Sequence, residues 1–79
     1  MNESVLEVVD YLENIGQESD NSKKFKEKTQ TVISILKSDN QLAVEKALFA
    51  LEEISSSDLP PYHRTQVWDA ISMLESIKQ

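Results

Sequence analysis

Proline occurs only at positions 60 and 61, and glycine only at 16. So few backbone breakers leave little to divide the chain into short strands and tight turns, and long helices are favoured. The two prolines sit where the most apolar stretches meet. An apolar helix is expected from Ala43 to Ile54, followed by the polar turn Ser55-Ser56-Ser57-Asp58, then Pro60-Pro61 and a second helix from Tyr62 to Ile77. A residue before proline is pushed toward extended geometry. Pro60 therefore suits the N-cap and Pro61 the first helical position, where a missing N–H costs nothing.

Hydrophobic spacing divides the rest into helices of the same kind. Val5, Val8, Val9, Leu12 and Ile15 form one stripe, predicting a helix from Glu3 to Ile15 with Gly16 as a left-handed C-terminal cap. Phe25, Thr29, Val32, Ile33 and Leu36 form a second, predicting a helix from Lys23 to Lys37 with Asp20, Asn21 or Ser22 as its N-cap. In the third helix the stripe is Val44, Ala47, Leu48, Leu51 and Ile54, widened by Ala43 and Ala50, and Ser38 with Gln41 has capping-box spacing before it. Its alanines permit close helix approach and mark it as the most buried. Val67, Ala70, Ile71, Leu74 and Ile77 make the stripe of the fourth.

The two halves resemble each other. A shift of 39 residues lays Val5 on Val44, Val8 on Ala47, Val9 on Leu48, Leu12 on Leu51, Glu13 on Glu52 and Ile15 on Ile54. A shift of 38 lays Asp20 on Asp58, Ile33 on Ile71, Ser34 on Ser72, Leu36 on Leu74 and Ser38 on Ser76. Any two amphipathic helices match at stripe positions, but the shared loop aspartate and nearly constant offset favour true repetition. Two such units are too few for a solenoid. The expected fold is all-α: one domain over residues 1–79, an antiparallel four-helix bundle of two repeated αα-hairpins at about 3–38 and 40–78.

Composition narrows the function. At 39% apolar and 28% charged the chain is too apolar for disorder. Its net charge of −6 argues against a broad nucleic-acid face and against anionic membranes. Without cysteine there is no disulfide and no thiolate ligand. The start, Asn2-Glu3-Ser4 with Glu7 and Asp10, has no basic region or cleavage site, so no signal peptide is expected. The longest unbroken apolar run, Ala47 to Leu51, cannot span a bilayer. A cytoplasmic protein is the expectation.

Catalytic constellations are missing. Gly16 alone cannot make a phosphate loop, and one histidine cannot make a two- or three-histidine metal site. Three residues before His63 stands Pro60 rather than the glutamate of di-iron bundles. Glu52 and Glu53 are neighbours that point apart on a helix. No enzyme, cofactor or metal is therefore expected.

Three polar or charged groupings have more than one reading. Lys23, Lys24, Lys26 and Lys28, four of the eight basic residues, crowd the first turns of the second helix, where cations oppose the macrodipole. Either the acidic first helix (Glu3, Glu7, Asp10, Glu13) lies beside them, or they form an anion or nucleic-acid patch. His63 stands at a helix N-terminus suited to anions or pH sensing, yet it projects along the apolar stripe, which favours a structural histidine. Arg64 and Trp68 can stack as a cation–π pair worth about 0.5–1 kcal/mol, or Arg64 can pair with Asp58 while Trp68 covers the core rim.

The sharper signal is apolar and faces outward. Leu42 and Phe49, seven apart, lie opposite the third stripe among Glu45, Lys46, Glu52 and Glu53. Trp68 lies off the fourth stripe and Leu6 off the first. They either pack under neighbouring elements or mark a surface for a homodimer or another protein. Leu42, Phe49, Arg64 and Trp68 are the candidate interaction surface. The preferred function is a non-enzymatic protein-interaction or structural module; the alternative is a nucleic-acid or ribonucleoprotein accessory using the lysines.

Leu51-Glu52-Glu53-Ile54, Pro61-Tyr62-His63-Arg64-Thr65-Gln66-Val67-Trp68 and Leu74-Glu75-Ser76-Ile77 together resemble a family of small archaeal helical proteins, uncharacterised protein family 0147. The resemblance covers most of the chain and is specific from about Val44 onward. Members of that family usually carry a proline and an arginine entering the second helix, where this chain has Asn21-Ser22-Lys23-Lys24-Phe25-Lys26. The resemblance implies an all-helical cytoplasmic protein of archaeal type and carries no activity with it.

Overall fold

Four amphipathic segments with short connections leave one economical solution, in which each apolar stripe is covered by the other three. A computed structural model, describing residues 3–18, 22–38 and 41–78, has that form. The helices are α1 (Glu3–Gly16), α2 (Lys23–Lys37), α3 (Ala43–Ser55) and α4 (Pro61–Lys78). Among the described residues α1 packs on α2, α2 on α3, α3 on α4 and α4 back on α1, with no backbone approach across either diagonal. The bundle measures 32 × 20 × 15 Å. Side chains cross one diagonal: the Phe25 ring of α2 stacks on His63 of α4 at 4.8 Å between centroids.

The core is the four stripes brought together. Val8, Val32, Ala47, Leu51, Ala70 and Leu74 are fully buried, and each leucine so enclosed contributes roughly 1.5–3 kcal/mol. Every expected stripe residue of α1 and α2 is buried. On α3, Val44 and Ala50 are half-buried at the stripe's edges, as are Ile71 and Ile77 on α4.

Helix ends follow local hydrogen bonding. Ser22 is the N-cap of α2: with φ −70 and ψ 156 its hydroxyl oxygen accepts from the Phe25 N–H at 3.1 Å, an arrangement worth about 1 kcal/mol. Asp20 and Asn21 lie outside the described residues. At α4, the Pro60 carbonyl accepts from the Arg64 N–H at 3.0 Å, as an N-cap carbonyl should.

Two end assignments are corrected. Ser38 and Gln41 do not box the start of α3. That helix begins at Ala43 with Leu42 in the cap position, and no side chain caps it. Ser38 is drawn back to close α2, its hydroxyl donating to the Ile35 carbonyl at 2.6 Å and its N–H to Ser34 and Ile35. Gly16 is not a left-handed cap either. It is the last residue of α1, and its φ lies outside the left-handed region. Its value is spatial: a Cβ there would stand 3.0 Å from Thr29 Oγ1 on α2. Glycine lets the two helices close at that point, and Thr29 turns its hydroxyl onto the Lys26 carbonyl at 2.9 Å.

The serine run ends α3 without glycine. Ser55, Ser56 and Ser57 each donate a hydroxyl three residues back, to the carbonyls of Glu52, Glu53 and Ile54 at 2.8, 2.9 and 2.5 Å. The Glu52 and Ile54 carbonyls also accept the N–H groups of Ser56 and Ser57, both at 3.1 Å, so the last turn, where helix carbonyls run out of intrahelical partners, is satisfied.

Candidate interaction surface

The residues singled out for their apolar, outward position are exposed. Phe49 is 66% exposed, Trp68 56%, Leu42 50% and Leu6 45%. Leu42 and Phe49 belong to α3 or its cap, and Trp68 to the adjacent α4. On a helix, residues seven apart fall on one line. Leu42 and Phe49 therefore form a line along α3, with Glu45 and Glu52 on one flank and Lys46 and Glu53 on the other, all exposed. None of these charged groups takes part in an ion pair among the described residues, where the pair found is Lys37 with Glu13 at 3.9 Å. Both partners of that pair are well exposed, so it adds little stability.

Arg64 does not stack on Trp68, and no ion pair joins it to Asp58, among the described residues. It is half-buried, with its Nε enclosed and lacking a hydrogen-bond partner. Trp68 is consequently left to solvent on that flank. The acidic α1 does lie beside the helix that carries the lysines, as the first of their two readings has it, but without ion pairs to them among the described residues. Lys23, Lys24 and Lys26 are exposed and Lys28 is half-buried, and no carboxylate of α1 pairs with them among the described residues. Lys24 and Lys28 instead line a shallow pocket with Ser22, Phe25, Ser57, Asp58 and Leu59, between α2 and the loop before α4.

His63 belongs to a polar seam where α4 meets α1. It is 7% exposed, with its ring against Phe25 on one side and tilted toward Tyr62 at 5.5 Å. Its Nδ1 is 3.0 Å from Gln66 Oε1. Gln66 Nε2 donates to Glu18 Oε1 at 2.6 Å, and Tyr62 Oη donates to Glu18 Oε2 at 3.2 Å. A carboxylate only accepts, which sets the amide with its NH2 toward Glu18 and its oxygen toward His63. His63 Nδ1 must then carry the proton it donates. Two turns along the same seam, Tyr11 Oη donates to Asp69 Oδ2 at 3.2 Å. Burial first, and then the Asp69 carboxylate, push the Tyr11 phenol up from 10.0 to about 12.

Glu18, Tyr11 and Asp69 belong to no motif, and Gln66 enters only as part of the stretch that carries the family resemblance. One signal was present: Gln66 follows His63 by three on the buried face of α4, and two polar groups on such a face need partners. The partners lie 44 to 58 residues away, in another helix or its end.

Among the described residues no group of three or more His, Asp or Glu side chains is placed to hold a metal ion. No helix of the described residues is long and apolar enough to cross a membrane. No curated protein and no solved structure matches the chain. The model of an uncharacterised protein family matches residues 1–77, nearly the whole length, and the chain therefore belongs to that family, UPF0147.

Proposed function

We propose that this protein is a non-enzymatic, cytoplasmic protein-interaction module. In this reading, two antiparallel αα-hairpins related by duplication form the scaffold, and the outer side of the second hairpin forms the contact surface. Opposite travel of neighbouring helices is supported by their pairings: Gly16 against Thr29, Tyr11 against Asp69, and Glu18 against Gln66. The observation that carries the function is Phe49, two-thirds exposed on the most apolar helix, with Trp68 more than half exposed on the next. A small bundle gains no stability from presenting such rings to water, and exposed aromatic groups with a charged surround are what interfaces use. The polar corner supports the same reading from the other direction. His63 is enclosed, its ring stacked on Phe25 of α2 and its Nδ1 committed to Gln66, which in turn bonds Glu18 beyond α1, so this corner serves to hold helices together. Sedimentation equilibrium and capture of partners, with native protein and Phe49→Glu, test this. Association that Phe49→Glu abolishes is expected; if every association survives the substitution, the surface is misassigned.

A second reading has one observation in its favour. Lys23, Lys24 and Lys26 are exposed at one end of α2 with no acidic partner among the described residues. A nucleic-acid accessory role predicts RNA binding that weakens steeply with salt and drops when the lysines become glutamine. No binding at low salt ends it.

A further inference from the structure

We infer that the occupant of the α3–α4 face is a basic amphipathic helix of another protein; this rests on the interaction-module reading above. The face has the layout such a helix requires. Leu42 and Phe49 are two turns apart, about 10.5 Å along the axis, matching anchors at i and i+7 of a partner helix. Glu45 and Glu52 run parallel to them at the same spacing, and Glu53 closes the other flank. Lys46 is the only base on that face of α3, and none of the glutamates is neutralised by an ion pair among the described residues. Apolar anchors between carboxylates select a partner whose apolar stripe is bordered by lysine or arginine. A second copy of this chain fits poorly. A two-fold interface would set the Glu45–Glu52 flank against its own copy, with Lys46 the only base to offset it, in a molecule already at −6.

Trp68 makes the test direct, because it is the only tryptophan in the chain and is 56% exposed. Its emission is followed while a tryptophan-free amphipathic Leu/Lys helical peptide is added, with a Leu/Glu peptide as the comparison. A saturable blue shift with the basic peptide alone is expected. The triple variant Glu45→Lys, Glu52→Lys, Glu53→Lys should weaken binding at least about tenfold. The variant Glu3→Lys, Glu7→Lys, Asp10→Lys changes net charge equally on α1 and should weaken it much less. Circular dichroism verifies that both remain helical.

Three results with peptide present overturn the inference: no shift with the basic peptide, equal shifts with both peptides, or equal loss in the two charge variants. A blue shift that grows with protein concentration alone, without peptide, overturns it in favour of self-association. That last result leaves the interaction-module reading intact, whereas association unaffected by Phe49→Glu removes that reading itself.

Discussion

The α1–α4 seam and the outer face of α3 invert the usual placement of side chains in opposite ways. In the seam, the enclosed polar groups have their hydrogen bonds made, His63 to Gln66 and Gln66 to Glu18, and the line continues outward to the exposed bond from Tyr11 to Asp69. On the face, large apolar groups are exposed, with Phe49 at 66%. A buried polar group that finds partners has its cost met within the fold. An exposed phenylalanine has no such compensation inside the monomer. In the proposed reading the two regions answer to different demands, the seam to folding and the face to contact with a partner.

Substitutions can break that contrast or sharpen it. The largest effect is expected for His63→Ala, which empties the space between Phe25 and Tyr62 and strips Gln66 of a partner. A loss of about 2–3 kcal/mol is expected in denaturant unfolding. Gln66→Leu keeps the volume but leaves Nδ1 of His63 and one oxygen of Glu18 without their bonds, for a loss of about 1–2 kcal/mol. If that variant is as stable as the native protein, the seam is not holding the helices.

Alkaline titration probes the other end of the seam. The folded-state pKa of Tyr11 is raised from 10.0 to about 12, so the folded protein keeps a proton that the unfolded chain releases. Its contribution to stability is present below pH 10 and is lost as pH rises toward 12. Ultraviolet titration should show a late-ionising tyrosine that is lost in Tyr11→Phe. The smallest effect on stability belongs to the face. Phe49→Ser should change unfolding free energy by no more than about 0.5 kcal/mol, where a core phenylalanine would lose about 3–5. A core-sized loss there would erase the contrast.

Much of the fold was legible because helix periodicity and breaker positions are local. The stripe of α2 and its bounds, Lys23 to Lys37, follow from spacing alone, and α1 and α3 each extend one residue beyond the expected Ile15 and Ile54. Helix ends were harder, because several groups compete for the same carbonyls. Ser38 could cap the next helix or close its own, and its hydroxyl lies on Ile35. The exposure of Phe49 and Trp68 could be expected from their angular positions. The Glu18–Gln66 and Tyr11–Asp69 contacts could not, since they depend on how two helices slide past each other, and no local pattern encodes that offset.

The close approach of α1 and α2 at Gly16 bears on substitution as well as packing. With a prospective Cβ only 3.0 Å from Thr29 Oγ1, the two positions share one allotment of volume. A Cβ at position 16 requires Thr29 Oγ1 to give by a few tenths of an ångström, so substitutions at the two positions are energetically coupled. In the proposed second copy the corresponding positions hold Ser55 and Val67. Position 55 carries a Cβ where position 16 has none, so the two matched halves differ in this element of packing.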